Sequence, residues 1–175
     1  MDKYCFGVDL GGTTVKIGLF SIEGQLQDKW EIPTRTENHG AEILSDIAAS
    51  IQRRMDTGHL SKEQVTGIGI GVPGPVLNEN IVQGCVNLGW GNVRVADELS
   101  ALTDLKVKAA NDANVAALGE QWQGGGKGFQ NLVMFTLGTG VGGGIIQNGR
   151  IISGANGAAG EIGHMVIVDS DEVVG

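Results

Sequence analysis

Glycine sets the problem that this chain has to solve. Thirty of its 175 residues are Gly, accompanied by only 3 Pro; roughly 17% Gly compares with about 7% in average proteins. No collagen-like period runs through them, so they serve local backbone geometry. They gather most tellingly at two turns, Gly11-Gly12-Thr13-Thr14 and Gly138-Thr139-Gly140. The first is flanked by residues 4–10 (YCFGVDL) and 15–20 (VKIGLF), the second by 132–137 (LVMFTL) and 141–146 (VGGGII). These apolar runs read as strands, so each turn closes a hairpin. Superposing Leu10 on Leu137 puts Gly11 on Gly138 and Gly12 on Thr139, a short match in the direction of a duplicated unit.

Between the hairpins the period alternates. A third strand is expected over 25–32, after the Glu23-Gly24 turn. From Gly40 to Met55, Ile43, Leu44, Ile47, Ile51 and Met55 share one helical face. The stretch 67–74 (GIGIGVPG) reads as a strand ended by Pro73, Leu99 and Leu102 mark a short helix, and a strand follows at 105–110. Asn111-Asp112-Ala113-Asn114 opens another helix, with Val115, Leu118 and Trp122 as its apolar stripe. The order β-β-β-α-β-α-β-α, then β-β again, is a mixed α/β pattern. The polar, glycine-rich stretch 124–128 is the expected hinge between a domain of residues 1–123 and the beginning of a second, 129–175.

Charge and cysteine content narrow the function. With 12 Lys+Arg against 20 Asp+Glu the net charge is −8, unlike the basic surface that nucleic acids or anionic membranes select. Cys5 and Cys85 form no CxxC spacing, which favours a reduced, cytoplasmic setting over a disulfide scaffold. The N-terminal MDKYCFGVDLGG has no apolar leader pattern, and no apolar run of membrane-spanning length occurs.

Four groups of residues can carry chemistry. In the first turn, Gly11 and Gly12 let backbone N–H groups converge on anionic oxygens, with Thr13 and Thr14 hydroxyls and the Lys16 charge beside them. Asp9 at the strand end is placed to hold Mg²⁺, directly or through water. The alternative is a tight hairpin whose glycines supply only positive φ. The second turn repeats the ingredients, and two such turns on either side of a hinge suggest half-sites closing on one polyphosphate. Asn111-Asp112 reads either as a helix cap or as a site in which Asp112 takes a proton from a substrate hydroxyl. Glu161 and His164, separated by two residues, can both reach the hydroxyls of a polar ligand, or are a capping residue and an incidental histidine. Asn87 offers an amide to the same ligand, or lies in a plain loop.

Taken in order, VDLGGTTVKIGLF, GIGIGVPGPV, NLGW, NDANVAALGE, LGTGVGGGII and GAAGEIGH resemble the ROK sugar kinases, and within them the bacterial glucokinases. The resemblance spans nearly the whole chain. It implies the actin-like ATPase (ribonuclease H-like) fold: a mixed-sheet N-terminal domain plus the beginning of a second α/β domain, flanking a cleft. It implies phosphate contacts around Gly11, Gly12 and Thr13 and again around Gly138, Thr139 and Gly140. It makes Asp112 the base toward the 6-hydroxyl of a hexose, with glucose as the leading substrate, held by Asn87, Asn111, Asp112, Glu161 and His164, with Asp9 positioning Mg·ATP.

Kinases of this family are longer than this chain, and continue into a loop whose three cysteine thiolates join a histidine equivalent to His164 on structural zinc. Cys5 and Cys85 lie elsewhere, so the resemblance implies an incomplete zinc site and a truncated chain with little turnover. It also implies a homodimer for the longer form. The alternatives are a non-catalytic, sugar-binding kinase fragment and a ROK sugar-sensing regulator without its DNA-binding domain.

Overall fold

A computed structural model describes residues 2–138 and 140–165. Strands β1 (Tyr4–Leu10) and β2 (Thr14–Ser21) pair antiparallel from Tyr4 opposite Ser21 to Leu10 opposite Val15, and β3 (Leu26–Pro33) continues on β2. A single turn, α1 (Glu37–Gly40), is broken by left-handed Asn38 and His39 and leads into α2 (Ile43–Thr57). Strand β4 (Val65–Val72) returns parallel to β1. A small meander follows, β5 (Val76–Leu77), β6 (Ile81–Cys85) and β7 (Trp90–Arg94). Then α3 (Val95–Thr103) delivers β8 (Val107–Asn111), parallel to β4, and α4 (Asp112–Gln123) starts at once. The remaining strands are β9 (Leu132–Leu137), β10 (Val141–Gln147) and β11 (Arg150–Ile151).

The main sheet therefore runs β3-β2-β1-β4-β8, and a second runs β11-β10-β9. Alternation buries Phe6, Val8 and Leu10 of β1 on the face that receives α2, whose Ile43, Leu44, Ile47, Ile51 and Met55 are all buried. That is the face the sequence period predicts. Trp30 closes the rim of this layer: its indole N–H donates to Ser50 Oγ (2.8 Å), and the Arg54 guanidinium, paired with Asp28, lies 5.3 Å from its ring centre.

The structure corrects one expectation and adds three short strands. The stripe Val115, Leu118 and Trp122 of α4 is 39–51% exposed, while Asn114 and Ala117 are buried. The reason lies in the partner: Gly144 of β10 packs against Ala113 and Ala117, and only small side chains allow a helix that close to a strand. Large residues are turned outward. The meander β5-β6-β7 has no counterpart among the expected elements, its strands of 2 to 5 residues being too short for a periodicity to register; Asn87-Leu88-Gly89 is the loop expected there, a 3-10 turn ending at left-handed Gly89 that joins β6 to β7. The glycine-rich stretch after α4 folds back on it: the Gly124 and Gly126 N–H groups both donate to Glu120 O, and Gly125 N–H donates to Glu120 Oε2. Among the described residues, no helix is long and apolar enough to cross a membrane.

Candidate active-site cleft

Parallel strands bring their C-terminal ends to one edge of the sheet, where open α/β sheets hold ligands. Register makes this concrete: Asp9 of β1 lies opposite Gly71 of β4, and Val72 lies opposite Asn111 of β8. Asp9, the Pro73-Gly74-Pro75 loop and Asn111-Asp112 thus gather at that edge. A cleft of about 830 Å³ opens there, walled by Pro73–Pro75, Asn87, Asn111, Asp112, Thr136, the 140–143 segment, Gly160 and Glu161.

Glycines of β10 determine how this cleft is assembled. With the two-residue strand period, Gly142 and Gly144 face α4, where a Cβ on Gly142 would come within 3.5 Å of Ala113 Cβ. Gly143 points to the opposite side, against Ile162 and Gly160. One strand therefore holds the start of α4, with Asp112, on one face and the Gly160-Glu161 turn on the other. Glu161 leads into the 3-10 turn Ile162–His164 and is half-buried, its N–H donating to Ala158 O (3.2 Å).

The capping question at α4 has a geometric answer. Asn111 is the cap: its Oδ1 accepts from Asn114 N–H (3.2 Å), while its Nδ2 donates to Gly74 O (3.1 Å). Both ends of that buried amide brace the protein, tying the 73–75 loop to the helix. Asp112 is the first helical residue, free of the capping task, with Oδ1 accepting from the adjacent Ala113 N–H (2.8 Å). Burial pushes its carboxyl above the ordinary aspartate value, and the Asp9 charge adds to this, against the opposing pull of the Ala113 and Asp112 backbone N–H groups.

The first turn is rigid. Gly11 N–H donates to Thr14 O (3.1 Å), and Thr34, just past β3, holds the outside through Oγ1 to Gly11 O (2.7 Å) and N–H to Thr13 O (2.9 Å). Gly12 faces Asn87, with 3.8 Å between a built Cβ and Asn87 Cβ, which links this turn to the cleft wall. Asp9, Gly11, Gly12, Thr13 and exposed Lys16 are not themselves cleft lining. Lys16 stands opposite Asp9 in the ladder. In the second turn Gly138 N–H donates to Gly140 O (3.0 Å) and Gly140 lines the cleft; Thr139 and the His164 side chain lie outside the described residues. Of the expected sugar contacts, Asn87, Asn111, Asp112 and Glu161 share the cleft. Thr34, Thr136 and Pro73–Pro75 escape sequence reasoning; the GVPGPV segment carried the only signal, two prolines around a glycine past a strand.

Asp9 and Asp112 bring two carboxylates to the sheet edge, the donor type that Mg²⁺ takes. Asp9 is near enough for its charge to raise Asp112, and hard oxygen donors with room for water and phosphate are what that ion takes. Among the described residues no group of three or more His, Cys, Asp or Glu side chains is placed to hold a metal ion of any kind, and the His164 side chain, expected on zinc, lies outside them.

The profile of the ROK family matches residues 5–175. A glucokinase of Halalkalibacterium halodurans is 46% identical over 168 residues, 95% of this chain and 51% of that protein. A glucokinase of Thermotoga maritima is 41% identical, covering 92% of this chain and 50% of its own length. Among solved structures, a ROK family glucokinase from Streptomyces griseus in complex with glucose and AMPPNP superposes with a TM-score of 0.81 at 34% identity, over 94% of this chain and 51% of that one. The chain spans about half the length of the curated relatives it matches. The mixed sheet and this likeness make the fold the actin-like ATPase fold.

Proposed function

The chain belongs to the ROK family, and from that premise we propose that it forms the sugar-holding part of an ATP-dependent hexose kinase whose substrate is glucose. One observation carries the reading: Asp112, released from capping by Asn111 and raised in pKa, opens into the same cleft as Glu161 and Asn87. A carboxylate with an elevated pKa is better matched to a hydroxyl proton than an ordinary one. Asp112 accepts the proton of the sugar 6-hydroxyl as that oxygen bonds to the γ-phosphorus; the bond from phosphorus to the bridging oxygen breaks, and ADP departs with the electron pair.

The other residues position and stabilise. Glu161, Asn87 and His164 hold sugar hydroxyls, and Asn111 keeps the 73–75 loop and α4 in register beside them. Backbone N–H groups of Gly11, Gly12 and Thr13, and of Gly138, Thr139 and Gly140, meet phosphate oxygens, with Lys16 adding positive charge. Aimed dipoles of this kind stabilise the charge that spreads over the transferring group. Mg²⁺, held near Asp9, would neutralise charge on the phosphate oxygens when bound. Residues 124–128 act as the hinge on which 1–123 and 129–175 close to exclude water. The acidic charge supports small-molecule partners rather than nucleic acid, the spacing of Cys5 and Cys85 supports a cytoplasmic setting, and a homodimer is the assembly proposed for the longer form; zinc has no part in the steps described.

A coupled assay with glucose, ATP and Mg²⁺ on the 175-residue chain, run beside glucose calorimetry, tests the reading. Turnover supports the kinase; glucose binding without turnover leaves a sugar-binding segment; the absence of both turnover and glucose binding sinks the proposal. Gly138→Val probes the second turn separately. A Cβ there meets nothing within 4 Å and the backbone is not left-handed, so stability is expected to stay within about 0.5 kcal/mol. In an active polypeptide containing this segment, the KM for ATP is expected to rise several-fold because the added methyls occupy phosphate space. Unchanged KM and kcat would place the triphosphate elsewhere.

A further inference from the structure

Helix α4 buries a polar side chain that nothing above uses. Asn114 is only 4% exposed, and its Oδ1 is a buried oxygen without a hydrogen-bond partner among the described residues. Its backbone N–H satisfies the Asn111 cap, so the side chain is not needed for the helix end. An apolar residue of the same size would fill the space without leaving an amide oxygen stranded, and buried acceptors are ordinarily paired. What the oxygen faces is Gly160: a Cβ built on that residue would lie 3.3 Å from it. Among the described residues the Gly160 N–H has no acceptor either. The two halves of one hydrogen bond stand on either side of the joint between α4 and the segment carrying Glu161.

We infer that Asn114 is a positioning residue for Glu161: its Oδ1 accepts from the Gly160 N–H as this turn settles onto α4, and so holds the next residue, Glu161, at the cleft wall. The helix that starts with Asp112 thereby also sets the place of Glu161, and the base and the sugar-holding carboxylate move as one body. The glycine at 160 is required because Gly143 O lies against it, and a side chain there would hold the turn away from the Asn114 amide. The link to sugar rests on the proposed role of Glu161; the clamp itself does not.

Amide exchange of the free 175-residue chain, followed by NMR, tests the clamp without ligand. Asn114→Leu is expected to speed exchange at Gly160 and Glu161 about tenfold, the factor for one modest hydrogen bond, with α4 amides unchanged. Asn114→Asp, which keeps an acceptor, is expected to retain wild-type rates. Equal rates at Gly160 in all three proteins would overturn the inference. Should Asn114→Leu fail to fold, Asn114→Ala carries the same comparison. Glucose calorimetry then separates the two claims: Asn114→Leu should weaken binding about tenfold in the wild type yet add almost nothing to Glu161→Gln, since the two act as one unit. Additive losses would remove Glu161 from the inference. A wild-type chain that binds no glucose would defeat the sugar-site reading, and the exchange rates would still decide the clamp.

Discussion

Asparagine at position 112 is expected to lower kcat by about 10²–10⁴ in an active polypeptide containing this segment, the range for a lost general base, while glucose affinity changes far less. The same variant is expected to melt higher than wild type near pH 7. In the folded chain the Asp112 carboxyl titrates above its ordinary value of 3.8, because burial, and then Asp9, disfavour its charged form. A carboxyl raised in this way contributes stability that is fully present below pH 3.8 and is lost as pH rises through the higher native value. At neutral pH the charge is a liability to the fold, only partly offset by its place in the first turn of α4, where the helix dipole favours anions. The amide removes that liability, so the gap in melting temperature should close in acid. Activity within a few-fold of wild type would reduce Asp112 to an ordinary helix residue. A variant that melts lower at pH 7 would mean that the dipole outweighs burial.

How much of this was legible in the sequence depended on the range of the interaction. The first hairpin and the buried face of α2 announce themselves, since both follow from periods of two and 3.6 residues acting within one segment. The α4 stripe misled for the same reason: Val115, Leu118 and Trp122 have helical spacing, but the side that packs is chosen by Gly144, on another strand. Thr34 beneath Gly11 and Thr136 in the cleft wall are brought in by strand pairing and leave no local signature. Spacing alone also left Asn111-Asp112 open between cap and base. The split of duties, Asn111 bracing and Asp112 facing the cleft, needed the position of Gly74, 37 residues earlier in the chain.

Gly144→Ala is expected to destabilise the chain by about 1–3 kcal/mol, the range for overpacking a tight core, with a fall in melting temperature of several degrees. A Cβ there would lie 2.5 Å from Ala117 Cβ and 2.9 Å from Ala113 O. Neither atom belongs to a side chain that can swing away, so α4 and β10 must separate. Because Asp112 starts that helix and Gly142 faces Ala113 on the same seam, the displacement also widens the cleft, and glucose affinity should fall along with stability. Gly138, six residues earlier in the same glycine-rich run, is expected to behave oppositely, altering nucleotide use at constant stability. Ala117→Gly in the Gly144→Ala background removes one of the two conflicts, against about 1 kcal/mol for glycine inside a helix; it should recover cleft affinity more than melting temperature. If Gly144→Ala melts with wild type, α4 does not rest on β10 at this spacing, and the glycines of β10 are not what brings Asp112 and Glu161 into one cleft.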